Sequence, residues 1–195
     1  MNEQSPPPPS PPVGDKPTAT LPFEEPGRAF GAGLLETIKL FILDPDQAFR
    51  RMPLRSDILR PLIYAVIVGW VGTAVAYLWG LMFQASILGM LGGLGDAEQV
   101  IPPILLGVTA GVLGLVLAPV IILIQVFIYT VVIHLCLMLV GGERNGFATT
   151  LRVLCYSNTA QLAQGIPFAG GLIATLWGIV LCVLGLMRSH DTTAG

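Results

Sequence analysis

Pro61-Leu-Ile-Tyr-Ala-Val-Ile-Val-Gly-Trp-Val-Gly-Thr-Ala-Val-Ala-Tyr-Leu-Trp-Gly-Leu-Met-Phe83 is a run of 23 residues without a charge. At about 1.5 Å per residue, a helix of this length covers a hydrocarbon core of roughly 30 Å with some tilt. Trp79 is placed for the far interfacial belt. The surroundings are as apolar. Between Pro61 and Gly142 the acids are Asp96 and Glu98, and there is no Lys or Arg. The whole chain is 53% hydrophobic and 11% charged, against about 25% charged in soluble domains. So little charge cannot clothe a water-facing globule, and lipid is the solvent that fits.

Working toward the C-terminus, residues 84–103 hold Gly92-Gly93, Asp96, Glu98 and Pro102-Pro103, which reads as a loop. Residues 104–140 are apolar throughout, with Pro119 marking a kink near the middle. Residues 141–152 form a polar turn and a helix start. Residues 153–166 are a weaker span carrying Tyr156, Asn158, Gln161 and Gln164, and Pro167 to Gly171 make an uncharged turn. The last span closes at Arg188, His190 and Asp191. The expectation is an all-α polytopic transmembrane bundle of about four spans, near 61–83, 114–140, 153–167 and 171–188. Polar side chains cost several kcal/mol when left unpaired in lipid, so the third span is expected at the centre of the bundle.

Toward the N-terminus, residues 1–27 contain nine prolines and read as a disordered tail, extending to about residue 30. Residues 31–60 then carry two short amphipathic helices lying at the membrane interface. Leu34, Leu35, Ile38, Phe41 and Ile42 form the stripe of the first. Asp44 is a good N-cap, Pro45 suits the first helical position, and Gln47 sits where a capping-box partner belongs. In the second helix, Phe49 and Met52 beside Arg50 and Arg51 suit a helix on an anionic bilayer surface. Packing on the protein's own face is the other reading. Residues 61–190 form the transmembrane domain.

Charge orients the bundle. Seven of the ten Lys and Arg precede the first span, Arg144 and Arg152 lie in the 141–152 turn, and Arg188 closes the last span. The loops at 84–103 and 165–171 have none. By the positive-inside rule, both ends of the segment are cytoplasmic. This alternation requires 104–140 to cross once.

The function classes thin out quickly. No basic patch with interleaved aromatics suggests nucleic acid. The polar, Pro-rich start is not a secretory signal. Cys136, Cys155 and Cys182 fit neither a zinc site nor a redox pair and read as small buried residues. Ser86, Ser157 and His134 show no nucleophile spacing, and no phosphate-binding Gly pattern occurs. His134 and Gln125 lie within the long span, where an ionisable group is a functional suspect; the lone His134 reads first as bonding to a neighbouring helix, and second as a proton or metal group. No catalytic residue, metal ligand or cofactor is expected. Small residues at four-residue spacing (Gly72, Ala76, Gly80; Gly107, Gly111; Gly114, Ala118; Gly170, Ala174, Gly178) allow close helix packing, within the bundle first and in a homo-oligomer second.

The order of short motifs resembles the Yip (Ypt-interacting protein) domain family, in its prokaryotic branch. They are Asp44-Pro45-Asp-Gln-Ala-Phe49-Arg50-Arg51-Met52; Arg60-Pro61-Leu62; Leu139-Val-Gly141-Gly142-Glu143; Phe147, then Thr150-Leu-Arg152-Val-Leu-Cys-Tyr156-Ser157; and Ile166-Pro167-Phe-Ala-Gly170-Gly171, leading to Trp177. The similarity covers roughly 34–191. It implies a helical domain of about five spans, so a fifth is expected soon after Asp191. The bacterial cytoplasmic membrane is the expected location, and the uncharged spanning core favours a non-enzymatic scaffold or adaptor with a protein partner at its cytoplasmic face. Eukaryotic members bind prenylated Rab-type GTPases. Asp44, Pro45, Phe49, Arg50, Pro61, Gly141, Gly142, Tyr156, Pro167, Gly170 and Gly171 carry the resemblance, as structural or partner-binding positions. A small transporter or channel component using the polar third span is the alternative.

Overall fold

The computed structural model describes residues 20–54, 57–92 and 97–190, with side chains outside 91–104. Among the described residues the fold is helical throughout: α1 (Phe30–Leu43), α2 (Pro45–Arg50), α3 (Leu59–Gly92), α4 (Ala97–Leu139), α5 (Gly146–Ser157), a 3₁₀ helix (Asn158–Gly165) and α6 (Gly170–His190).

Three helices are long and apolar enough to cross a membrane: Leu59–Met90, Leu105–Leu139 and Gly170–His190. Their outer faces expose large apolar residues such as Leu78, Val116, Phe127 and Leu176, as lipid-facing helices should. The expected third span is built differently. α5 ends at Ser157, and the chain runs straight into the 3₁₀ helix. Twelve α-helical and eight 3₁₀ residues give about 18 Å and about 16 Å, together enough for a bilayer core. This mixed rod packs on α3, α4 and α6, which is the central position its polar residues require.

The 84–103 loop is corrected. α3 continues to Gly92, and α4 is already helical at Ala97. Nothing charged interrupts residues 84–92, and Gly89 sits in open space, where it does not stop a helix. Pro102 and Pro103 fall in the second turn of α4, near enough to the start for few backbone bonds to be lost. The acid Asp96 lies outside the described residues.

α4 runs unbroken through Pro119. Proline has no N–H to give the carbonyl four residues back, here that of Leu115. The indole N–H of Trp70 in α3 donates to that carbonyl at 3.0 Å. At its far end α4 closes in a Schellman arrangement. Gly142 N donates to Leu137 O (2.9 Å), Gly141 N to Met138 O (3.1 Å), and Gly141 takes φ +69°.

The break between α1 and α2 falls at Asp44-Pro45 as the cap chemistry predicts. The Asp44 side chain accepts from Gln47 N at 3.0 Å, with Pro45 in the first turn. Of the two readings of α2, packing on the protein's own face holds: Phe49 and Met52 are in the protein core. Phe49 meets Phe41 edge-on at 5.0 Å. The buried face of α1 is Gly33, Thr37 and Phe41, while Leu35, Ile42 and Leu43 stay exposed. Cys155 is buried as expected, but Cys136 is exposed on α4.

The tail expected over 1–30 lies outside the described residues as far as Ala19. From Thr20 the chain makes turns packed against the bundle, with Leu21, Pro22 and Phe23 buried. Phe23 N donates to Thr37 Oγ1 (2.9 Å), and Arg60 holds the Phe23 carbonyl (2.8 Å). Leu21 and Phe23 are apolar in a segment whose composition is otherwise that of a tail, and their burial overrides it.

Candidate functional site

Among the described residues, the segments carrying basic side chains meet at one end of the bundle. Arg188 at the end of α6 reaches Asp46 of α2 (2.5 Å), and Arg50 reaches the same carboxylate (2.8 Å). The Arg188 bond, then that from Arg50, holds the Asp46 carboxyl below its ordinary range. At the opposite end, Trp79 donates to Gly165 O (3.2 Å), and Phe83 packs on Phe168 at 4.7 Å. The grouping of loops read from charge is therefore the grouping in space.

Inside the basic end lies a buried polar cluster. Arg152 on α5 is 0% exposed, and its ion-pair partner Glu24, from the N-terminal segment, has a side chain 6% exposed. Arg152 Nη2 donates to both Glu24 oxygens, Nη1 donates to Asp57 O (2.8 Å), and Tyr156 OH donates to Glu24 Oε1. Arg152 Nε is buried and has no partner. Tyr156 stacks on Phe41 at 5.1 Å and touches Tyr64 at 4.9 Å. Thr159 Oγ1 donates to Tyr156 O (2.7 Å), so its one hydrogen is committed. Tyr64 OH, 2.6 Å from Thr159 Oγ1, is then the donor of that pair.

Arg152 counts in sequence as a residue of a polar turn, and Glu24 as a residue of a tail. The signal available was the run Leu151-Arg-Val-Leu-Cys-Tyr156. Arg152 and Tyr156 share a face at i, i+4 in an apolar stretch, and a charge there requires an acid. Nothing in the sequence says that the acid lies 128 positions earlier.

A second polar chain is at the same end. Arg144 N (3.2 Å) and Asn145 N (3.4 Å) donate to His190 Nδ1. That nitrogen is therefore the acceptor, and Nε2–H donates to Thr150 Oγ1 at 3.2 Å. Thr150 in turn donates to His134 Nδ1 at 3.1 Å. His134 thus bonds to a neighbouring helix, as expected.

Between α4 and α6 runs a groove of about 530 Å³, floored by Ser157, Asn158 and Gln161 and edged by Gln125, Tyr129 and Thr175. Of the four polar residues in the mixed rod, Tyr156 faces Glu24, Gln164 donates to Gln161, and Asn158 and Gln161 line the groove.

The small-residue stripes work mainly inside the bundle. A Cβ on Gly72 would meet Gln161 O at 2.6 Å, on Gly111 the Tyr77 ring, and on Gly170 Ala163 O at 2.5 Å. Gly80, Gly114 and Gly171 face open space. Pro61 is buried in the first turn of α3, Pro167 precedes the left-handed Phe168 (φ 63°), and Gly141 and Gly142 close α4. Of the residues carrying the resemblance, Tyr156 alone is in the buried cluster, and Arg50 is in the exposed ion pair with Asp46.

The family model of the Yip1 domain matches residues 38–195. The chain belongs to the Yip1 domain family. Neither a curated protein nor a solved structure matches significantly. As a Yip-family membrane protein, with three strongly apolar helices, the chain contacts the lipid bilayer. The match begins inside α1, so the Yip1 domain takes in α2 to α6, and Leu21 to Glu24 lie before it.

Proposed function

We propose that this Yip1-domain protein is a non-enzymatic scaffold or adaptor in membrane organisation or trafficking-like processes. Its N-terminus is cytoplasmic, in the bacterial cytoplasmic membrane of the prokaryotic branch. The observation that carries this reading is the docked pair α1–α2. Its inner face is bound into the core through Phe41 and Phe49, while Leu35, Ile42 and the 80%-exposed Leu43 point outward. A face with apolar residues outward on a rigidly held helix suits a lipid interface or a protein partner. Family members in eukaryotes bind prenylated Rab-type GTPases, and the partner here is expected at this same face. Gly80 and Gly114, open to their surroundings, are where a second copy would pack.

Photocrosslinkers placed at Leu35 and Leu43 in native membranes test the proposal. A discrete protein adduct is expected at Leu43, and adducts with lipid alone would defeat the adaptor reading. One observation favours a transporter component as the second reading, namely the polar-floored groove between α4 and α6. Solute flux into proteoliposomes, abolished by Gln161→Leu, would raise it above the first.

A further inference from the structure

Within the stretch matched by the Yip1 domain, Arg152 carries a fully buried positive charge, and its partner there among the described residues is a neutral carbonyl, that of Asp57. A guanidinium buried without an anion is strongly unfavourable. The anion it meets comes from outside the matched stretch, on Glu24. The domain therefore contains a cationic cleft, and in this structure a preceding segment of the same chain fills it.

The geometry points to a receptor for a phosphate-headed lipid, with the segment Leu21–Glu24 as its displaceable occupant. Three donors converge on the cleft: Arg152 Nη2, Arg152 Nε and Tyr156 OH. The Glu24 carboxylate takes the first and third, and Nε stays buried without a partner. A carboxylate has two oxygens, whereas a tetrahedral phosphate has a third to offer. Guanidinium binds such a group through the adjacent Nε and Nη2 edge.

The neighbouring space selects the rest of the ligand. Leu21 and Phe23, which precede the acid, lie in an apolar cluster with Phe41, Tyr64 and Tyr156. Phe23 and Tyr64 are 5.7 Å apart between ring centres. The occupant is thus apolar on one side and anionic on the other, the pattern of an anionic lipid. Among the described residues, two side-chain hydrogen bonds hold its backbone, Phe23 N to Thr37 Oγ1 and Arg60 Nη1 to Phe23 O.

The test uses the full chain in nanodiscs of phosphatidylcholine, titrated with phosphatidic acid and separately with inorganic phosphate, bound ligand being counted by native mass spectrometry. Glu24→Gln keeps the shape of the occupant and removes its charge. It is expected to bind phosphatidic acid about tenfold more tightly than the natural chain, and Tyr156→Phe added to it is expected to remove that gain. No gain in Glu24→Gln, or a gain that survives Tyr156→Phe, would overturn the site. Equal occupancy by inorganic phosphate alone would overturn the lipid assignment. Should Glu24→Gln not fold, the natural chain still decides. Displacement of Leu21–Glu24 by phosphatidic acid is expected to speed tryptic cleavage after Arg28 several-fold over phosphatidylcholine alone, and an unchanged rate would sink the proposal.

Discussion

Trp70 supplies the hydrogen bond that Pro119 removes. The ring of Pro119 leaves the Leu115 carbonyl without its α-helical donor, and the indole of Trp70, on the neighbouring helix, donates to that oxygen at 3.0 Å. An unpaired carbonyl at membrane depth is costly, so the two residues form one unit although they do not bond to each other. Trp70→Phe is expected to destabilise the bundle by about 0.5–2 kcal/mol. In a Pro119→Ala background, where the new backbone N–H can donate to the Leu115 carbonyl, the same change should cost little beyond lost packing. A double-mutant cycle on reversible unfolding in mixed micelles measures the coupling, and a coupling of zero would separate the two residues.

Glu24→Ala removes the only carboxylate shown on Arg152 among the described residues. Loss of one partner from a buried pair costs about 3–5 kcal/mol, because the remaining charge is left without compensation. Arg152→Met added to Glu24→Ala is expected to restore most of that loss. Thermal unfolding of the natural chain and the two variants checks the order.

Gly72→Ala puts a Cβ 2.6 Å from the Gln161 carbonyl, whereas Gly80→Ala meets nothing within 4 Å. The obstacle at Gly72 is backbone, so α3 and the 3₁₀ helix must separate, at about 1–3 kcal/mol. Gly80→Ala is expected to be neutral or slightly stabilising, through helix propensity. Equal effects would remove the close approach from the account.

Asp46 gives the contact between α2 and α6 a pH dependence. Arg188 and Arg50 lower its folded-state pKa, so its contribution is present above the unfolded value of about 3.9 and lost as the pH falls through the folded one. The stability difference between the natural chain and Asp46→Asn should hold steady from neutral pH to about 5 and close below about 4. Denaturation series at several pH values test this, and a difference that instead grew in acid would contradict the sign.

Leu43→Cys and Ala169→Cys, in a background with Cys136→Ser, should react with an impermeant thiol reagent from opposite sides of the membrane. Both positions are exposed, and they lie at the basic and the uncharged ends of the bundle. Reaction from one side would overturn the topology.

The legible parts of this fold are those written in local chemistry. Asp44-Pro45 stops one helix and starts the next because cap and proline act within a turn. The apolar runs declare their spans because lipid tolerates little else. What was not legible depends on distant partners. Phe49 and Met52 look interfacial beside Arg50 and Arg51, yet α6 receives Phe49 at Gly185, where a Cβ would lie 2.6 Å from its ring. Gly and Pro read as breakers over 84–103, but Gly89 inside α3 and Pro102-Pro103 in the second turn of α4 cost too little to end a helix. The pairing of Glu24 with Arg152 spans most of the chain and leaves no periodic trace.

The mixed rod from Gly146 to Gly165 also bears on how the protein is made. It carries Asn158, Gln161 and Gln164 in its 3₁₀ part, and polar side chains left unpaired in lipid cost several kcal/mol. During synthesis this stretch leaves the ribosome before α6, its wall on one side. It cannot partition into lipid by its own hydrophobicity. It enters once α6 follows, with α3 and α4 already in place. Placement of the rod is therefore coupled to that of α6, and a nascent chain halted between them holds a half-assembled bundle.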